Sequence, residues 1–344
     1  MKQSYFIGVD ISKEKVDIAV IDQQNQVLFE KIVGNDRSKL KSYFQNLIRK
    51  LKVEPEQVLI CCENTGNYTR PLQLLSTENG FSLWVENAYK IKKAASDLRG
   101  KSDKKDALRI AQYALRYCDQ QLLYKEPSEH QNRLQSLLHA RESITSQINQ
   151  LQQQLSESKS FDSIKYETLK SCYSNPLKTL KGELKKVEIR IKELVAADKA
   201  LLRNAELLKS IPGIGQQNAL NFIVHTQNFT LFRSADHLAC YVGVVPFPNQ
   251  SGTMLKRDRV SPFANKKLKK LLHLAAMAAV KAHGELKQYY IRKVKEGKNK
   301  MSVLNAVRNK LVKRMFAVIQ RQVPYIPNLN QNDSINEETS CILT

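Results

Sequence analysis

The first 34 residues constrain the fold most, because they hold three strands with no room for helices between them. The strands read YFIGVDIS, KVDIAVID and QVLFEKIV; each is rich in valine or isoleucine, and the gaps are only a few residues long. Such gaps allow hairpins, whereas a parallel crossover needs about a dozen residues or more. The chain therefore begins as an antiparallel meander, which excludes a simple doubly wound parallel sheet.

Strand and helix patterns then alternate up to residue 126. The helix SKLKSYFQNLIRKL precedes the buried strand QVLICCEN, and the helix RPLQLLSTEN, which ends at Gly80, precedes the strand FSLWVEN. Two more helices follow, at about 88–98 and 103–117. A meander followed by strand–helix units is typical of the α/β layer fold of the ribonuclease-H type, and we predict this fold for residues 1–126.

The remainder is expected to be all-α. Apolar residues recur at heptad spacing over 134–155 and again over 177–194, which predicts two coiled-coil helices. Arg141 breaks the first series, and the stretch 158–176, with its Asn-Pro pair, is expected to separate the helices. We interpret residues 127–204 as an antiparallel helical hairpin or a dimerisation arm, 205–325 as a mainly helical domain, and 326–344 as a disordered tail.

The charge of the chain predicts a polyanionic partner. Lysine and arginine number 55 against 33 acidic residues, a net charge of +22. The excess is concentrated between Lys256 and Arg314, where 18 basic and 3 acidic residues give +15. A solvated surface needs no such concentration, so nucleic acid is the expected partner.

The cysteines and the lengths of the apolar runs predict the cellular location of the protein. None of the 6 cysteines forms a C-x-x-C pair, which argues against zinc and suits a reducing cytoplasm. Residues 1–9 lack the apolar core of a signal peptide, and no apolar run reaches the ~20 residues of a membrane span. We expect a cytoplasmic, nucleoid-associated bacterial protein with no membrane partner.

Four acidic residues form the first candidate site. Asp10 ends the first strand, Glu63 ends the fourth, and Asp103 and Asp106 open the last helix of the domain. The ends of strands one and four are neighbours at the centre of a ribonuclease-H-like sheet, and a following helix can bring two more carboxylates over them. Oxygen ligands suit two Mg²⁺ or Mn²⁺ ions, which could act on a phosphodiester. Taken singly, each acid is equally an ordinary cap, turn or surface residue.

Two loops give further candidates. In SIPGIGQQNAL, Gly213 and Gly215 stand between two helices, as in half of a helix-hairpin-helix element, where they would contact DNA phosphate or simply form a turn. In GVVPFPNQSGTMLKRDR, Ser251 lies in a proline-rich loop, and its hydroxyl could attack phosphorus. A serine beside glycine is, on its own, more often a turn residue.

Basic residues surround these candidates. Ser251 is followed by three cations that could clamp a phosphate, and the acidic helix and the late helix NKKLKKLL carry more. We expect nucleic-acid contacts from Lys101, Lys104, Lys105, Lys256, Arg257, Arg259, Lys266, Lys267, Lys269 and Lys270.

Taken together, these blocks resemble a known family. GVDISKEKVDIAV, CENTGNY, GKSDKKDALRIAQYA, SIPGIG, FRSADHLACYVGVVPFPNQSG and NKKLKKLL occur in the order seen in the DEDD transposases of insertion sequences, relatives of the Piv-type DNA invertases. The resemblance covers roughly residues 4–320. It implies a RuvC-like N-terminal domain and a C-terminal domain that carries a serine.

The resemblance also implies a mechanism. Asp10, Glu63, Asp103 and Asp106 would be the metal-binding tetrad, and Ser251 would form a phosphoserine link to DNA in a composite active site. Some members are guided by a structured bridge RNA, and the family acts as oligomers, which here implies a dimer or tetramer through the coiled-coil arm. Two departures concern the phosphate clamp: Ala264 replaces a usual glycine, and lysine stands at 269 or 270 where arginine is usual.

Other functions remain open from the residues alone. A metal-only, structure-specific nuclease resembling a Holliday-junction resolvase would use the carboxylates without Ser251. A nucleic-acid-binding scaffold would have little use for four metal-competent acids. An actin-like ATPase would need a second glycine-rich phosphate loop, which the sequence lacks.

Overall fold

The computed structural model describes residues 3–94, 103–251, 254–260, 264–282 and 284–327. At 103–104, 247–251 and 254–260 it describes the backbone alone. The chain divides into two compact units, Met1–Pro127 and Ser128–Thr344. The finer division into four parts stays a prediction.

The first unit contains a five-stranded mixed sheet. Its strands are β1 (Tyr5–Ile11), β2 (Lys15–Asp22), β3 (Val27–Gly34), β4 (Val58–Glu63) and β5 (Ser82–Glu86). They lie in the order β3-β2-β1-β4-β5, with β1–β2 and β2–β3 antiparallel and β1–β4 and β4–β5 parallel. Its helices are α1 (Arg37–Leu51), α2 (Arg70–Asn79), α3 (Ala88–Ala94) and α4 (Asp103–Arg116). This confirms the predicted α/β fold.

Strand alternation gives the sheet two apolar faces. One face, with Ile7 and Val9 of β1, packs against Leu40 and Phe44 of α1 and against α2. The other face, with Phe6 of β1, packs against α3 and α4. Because side chains alternate along a strand, Gly8 and Asp10 of β1 belong to the α4 face.

The second unit is mainly helical, as predicted. Its helices are α5 (Glu129–Phe161), α6 (Ser163–Ala197), α7 (Lys199–Lys209), α8 (Gln216–His225), α9 (Ala235–Val242), α10 (Lys266–Lys281), α11 (Glu285–Lys295) and α12 (Lys300–Arg321). A two-stranded hairpin, β6 (Pro246–Ser251) and β7 (Met254–Val260), lies between α9 and α10. No helix in the described part of the chain is both long and apolar enough to cross a membrane.

The prediction of two long paired helices is confirmed by α5 and α6. The predicted break between them is wrong. Only Asp162 interrupts the two helices, whereas a separating stretch was expected over 158–176. Pro176 lies inside α6, at an exposed position where the carbonyl left without a donor can bond water. Arg141, which breaks the heptad, bonds Glu188 at 3.0 Å across the antiparallel pair.

Candidate functional site

The candidate acidic site lies at the carboxyl ends of β1 and β4. Val9 is paired with Cys62 in the parallel register, so the next step along both strands places Asp10 beside Glu63. Both residues are half-buried, and both belong to the face on which α4 packs. The sheet therefore brings together the first two acids of the predicted tetrad.

The helix α4 approaches β1 unusually closely at Gly8. A Cβ atom on Gly8 would lie 2.0 Å from the carbonyl oxygen of Ala107 and 2.3 Å from the amide nitrogen of Ala111. Only glycine allows such a backbone approach. Asp106 precedes Ala107, and Asp10 lies two residues beyond Gly8, so this contact draws the start of α4 over the strand ends.

Glu63 and Asp106 lie within electrostatic range of each other. Burial raises the pKa of the Glu63 carboxyl, the cation of Lys92 opposes this, and the negative charge of Asp106 adds to it. Asp106 also bonds Arg109, one turn along α4, at 2.7 Å. The backbone of Asp103 lies one turn before Asp106 in α4, and its side chain is outside the described atoms.

Two carboxylates at this edge were not predicted. Asp17 is paired directly with Asp10 across β1 and β2, and Glu86 ends β5. Glu86 accepts hydrogen bonds from the Asn87 amide, Lys90 and the Tyr113 hydroxyl, so we assign it a structural role. The short gap between β1 and β2 was the signal for Asp17, because a tight hairpin fixes which residues face each other.

Asp17 is the carboxylate with unmet hydrogen-bonding capacity. It is 4% exposed, and its Oδ2 lies 3.3 Å from Lys15. Its Oδ1 is buried and has no hydrogen-bond partner among the described atoms. A buried carboxylate oxygen opposite a second carboxylate is unfavourable unless a cation or donor lies nearby.

The carboxylates at this edge of the sheet have the ligand chemistry that a hard divalent cation requires. The donor set consists of carboxylate oxygens, the ligands that Mg²⁺ and Mn²⁺ prefer, and it includes the orphaned Asp17 Oδ1 and a Glu63 whose ionisation is opposed. Among the described side chains, which omit that of Asp103, no three acidic, histidine or cysteine residues are grouped closely enough to hold an ion.

Ser251 lies in a hairpin rather than in the predicted loop. It is the last residue of β6 and is paired with Met254 of β7. Proline is tolerated there because a two-stranded ribbon leaves one side of each strand without ladder hydrogen bonds. The strand β7 contains the three predicted cations Lys256, Arg257 and Arg259. Lys256 is paired with Asn249, and Arg259 with Phe247. The structure describes only the backbone of these residues.

Both ends of this hairpin are tied to helices. Asn305 of α12 donates a 2.8 Å hydrogen bond to the Val244 carbonyl, just before β6. On the other side, the Asn265 amide donates to the Tyr241 carbonyl at 2.9 Å, and its side chain donates to the Tyr241 hydroxyl at 3.0 Å. Asn265 also caps α10 by accepting from the Leu268 amide.

The two glycines of SIPGIG have different surroundings. Gly213 has a positive φ of 91°, and a Cβ there would lie 2.5 Å from the carbonyl oxygen of Ala275, so its close approach is to α10 of the same chain. Gly215 is exposed at the start of α8, with nothing within 4 Å of its Cβ position. A phosphate contact stays a prediction and is sterically open at Gly215.

The basic residues predicted to contact nucleic acid differ in their exposure to solvent. Lys105, Lys266 and Lys270 are exposed, whereas Lys267 bonds Glu142 of α5 at 2.6 Å. Lys269 is half-buried, and its pKa is lowered by burial and then by the charge of Arg308. Lys101 lies outside the described residues, and only the backbone of Lys104 is described.

The sheet order, with carboxylates at the ends of β1 and β4 beneath α4, defines the ribonuclease-H-like class. Comparisons with known proteins identify the family. Residues 7–158 match the family model DEDD_Tnp_IS110, described as transposase, and residues 205–291 match the IS116/IS110/IS902 transposase family. The two matches cover more than two thirds of the chain, which belongs to the IS110 transposases.

Two curated relatives agree with this assignment. The chain is 23% identical to the pilin gene-inverting protein of Moraxella bovis over 95% of this chain and 99% of the relative. It is 24% identical to the IS1111A transposase of Coxiella burnetii over 94% and 92%. Thermus thermophilus RuvC, solved with a Holliday junction, aligns with 35% of this chain and 98% of its own at 11% identity and a TM-score of 0.29. The chain is an enzyme of DNA strand cleavage and transfer.

Proposed function

We propose that this transposase cuts and rejoins DNA with Ser251 as nucleophile and Asp10, Glu63, Asp103 and Asp106 as ligands of divalent metal. The observation that carries the proposal is the close contact of α4 with β1, which brings Asp106 into electrostatic range of Glu63. Two carboxylates held at this range repel each other, and a shared cation offsets that cost. Two Mg²⁺ or Mn²⁺ ions are the proposed occupants.

The chain's own groups would perform the covalent step. The Ser251 oxygen attacks phosphorus, an Oγ–P bond forms, and the bond from phosphorus to one deoxyribose oxygen breaks. The serine hydroxyl proton passes through a carboxylate or water to the departing oxygen, which leaves as a hydroxyl. Attack by a DNA hydroxyl on the phosphoserine reverses these changes and rejoins the strand. The bound metal would supply Lewis-acid stabilisation of charge on the phosphate oxygens.

Three partners complete the proposal. DNA is the substrate, both as donor and as target, and the enzyme would therefore act at the bacterial nucleoid in the cytoplasm. A structured non-coding guide RNA is proposed from the family resemblance, and the concentration of charge after Lys256 suits a second polyanion. A dimer or tetramer through α5 and α6 is proposed from the family resemblance, and light scattering of the purified protein tests it.

A covalent-trapping assay tests the chemistry. Purified protein, with its co-purified RNA, is incubated with Mg²⁺ and labelled DNA flanking its gene, and label retained on protein is measured on a denaturing gel. We expect an adduct that is lost in Ser251→Ala and in Asp106→Asn. Ser302→Ala and Asp119→Asn, both at exposed positions in the same two units, are matched controls that should keep it.

The outcomes separate the candidate mechanisms. Cleaved DNA without an adduct, unchanged in Ser251→Ala, would identify a metal-only nuclease and refute the serine mechanism. An adduct that persists in Asp106→Asn and in EDTA would refute the role of the carboxylates. Ribonuclease treatment that leaves adduct formation intact would refute guidance by RNA.

A further inference from the structure

The helix α12 buries one arginine without an evident counter-charge. Ten of its side chains are buried, and nine of these are apolar; the tenth is Arg308, which is 7% exposed. Its Nε atom is buried and has no hydrogen-bond partner among the described atoms. No ion pair joins it to a described carboxylate. Burying an unpaired guanidinium is costly, so a partner from outside the described residues is expected.

A second arginine on the same helix shows the contrast. Arg314 is also largely buried, but its Nη2 atom lies 2.6 Å from Glu285, and its guanidinium lies 4.7 Å from the centre of the Tyr325 ring. The fold therefore satisfies one arginine of α12 from within and leaves Arg308 unsatisfied. Packing alone explains why α12 is apolar, and it does not explain Arg308.

The helix α10 packs on α12, and two of its basic side chains lie within electrostatic range of Arg308. Lys269 and His273 lie one turn apart on α10, and the pKa of each is lowered by burial and then by the positive charge of Arg308. The Nδ1 atom of His273 is buried and also lacks a hydrogen-bond partner among the described atoms. Arg308 and His273 thus each have a buried nitrogen without a hydrogen-bond partner among the described atoms, and the Lys269 ammonium group lies within electrostatic range of Arg308.

The place of this cluster in the fold points to its ligand. Arg308 lies one turn after Asn305, which holds the chain entering β6, and Lys269 lies one turn after Asn265, which holds the chain leaving β7. Residues three and four apart share a helix face. The cluster therefore lies beside the two ties at the base of the Ser251 hairpin.

We propose that Arg308, Lys269 and His273 form a binding site for one phosphodiester group of the DNA substrate. The guanidinium fork offers two parallel hydrogen bonds to phosphate oxygens, Lys269 adds a point charge, and the imidazole adds an N–H donor. Phosphate neutralises the cluster, which no apolar or neutral ligand would do. This site rests on the proposed function in that its ligand is the DNA being cut.

The test compares Arg308→Met with Arg321→Met, which removes an exposed arginine from the end of the same helix. Binding of a labelled random-sequence duplex is measured by fluorescence anisotropy at several salt concentrations, with a single-stranded RNA in parallel. We expect Arg308→Met to weaken duplex binding by roughly tenfold to a hundredfold and to reduce the salt slope by about one phosphate. The control should change affinity much less, and Arg308→Lys should recover part of the loss.

A purely structural role for Arg308 predicts that Arg308→Met lowers the melting temperature of the free protein, because packing and hydrogen bonds are lost. The phosphate site predicts a different pattern. Removal of a buried unpaired charge should leave the melting temperature of the free protein unchanged or higher, and added inorganic phosphate should stabilise wild type more than Arg308→Met. If Arg308→Met fails to fold, Lys269→Gln is compared with Lys281→Gln, an exposed position at the end of α10.

Several results would overturn the proposal. Duplex affinity unchanged in Arg308→Met, or in Lys269→Gln where that variant is used, would refute it. A loss confined to RNA would assign the cluster to RNA instead. The proposed function fails separately: DNA binding that depends on Arg308 without any Ser251 adduct would leave this site standing, and an adduct with Arg308-independent binding would leave only the function.

Discussion

Replacing Gly8 with alanine tests whether the contact between β1 and α4 sets the geometry of the acidic site. The new Cβ would lie 2.0 Å from the Ala107 carbonyl oxygen, whereas an ordinary contact begins near 3.4 Å. The helix would have to move away by about 1.4 Å, the difference between these distances. Overpacking of this kind costs about 1–3 kcal/mol in the free energy of unfolding.

The same movement would displace Asp106 from Glu63. A misplacement of about 1 Å can reduce a reaction rate on the order of a hundredfold, so we expect adduct formation to fall by about that factor at a temperature where the variant is folded. Unfolding in urea gives the stability, and the trapping assay gives the rate. Metal binding, measured by calorimetry, should weaken in parallel.

Gly182→Ala is the matched control. Gly182 lies inside α6 with nothing within 4 Å of its Cβ position, so alanine there should stabilise the protein by about 0.5–1 kcal/mol and leave the rate unchanged. A Gly8→Ala protein that is as stable and as active as wild type would show that α4 tolerates the shift. Loss of stability with a normal rate of adduct formation would also refute the reasoning. It would show that the contact at Gly8 serves packing and does not set the position of Asp106.

Three further changes test other parts of the structure. Because burial raises the pKa of Glu63, the folded state binds its proton more tightly than the unfolded chain does. Stability therefore falls as the pH rises from the pKa of the unfolded chain to the higher pKa of the folded state. Without divalent metal, Glu63→Gln should therefore melt higher than wild type at pH 7, and the difference should disappear below about pH 4. Pro176→Ala restores a helix hydrogen bond in α6 and should raise the free energy of unfolding by up to ~3 kcal/mol in urea titration; an unchanged value would show that α6 has adapted to the proline. Burial raises the pKa of Cys61 and Cys62, so iodoacetamide should label exposed Cys172 in the native protein and reach the buried pair only in denaturant, as peptide mass mapping would show.

Local pattern was sufficient to predict the elements of the first unit. Alternating apolar residues gave β1, β2 and β3, and the short gaps between them gave their antiparallel order. Because β1 and β4 were expected to be neighbours, their ends predicted that Asp10 and Glu63 lie together. These inferences succeeded because strand period and hairpin length are local properties of the chain.

The features that the sequence did not predict depend on strand register and on solvent exposure. The pairing of Asp17 with Asp10 requires the hairpin register, and a slip of one residue would have turned Asp17 to the other face. Pro176 was interpreted as a break because the sequence does not show that its side of α6 faces solvent. Likewise, the burial of Arg308 follows from the packing of α10 on α12, which no local pattern encodes.

The edge position of β3 bears on how this protein behaves at high concentration. The opposite edge of the sheet is partly closed, since the Tyr124 amide donates to the Leu83 carbonyl of β5 at 2.6 Å. No further strand is paired with β3 in the described residues, and Val27 and Ile32 on it are each 47% exposed. Glu30 and Lys31 interrupt this apolar edge with charge, which discourages strand addition between molecules. We therefore expect Glu30 and Lys31 of this edge strand to keep the enzyme soluble at high expression.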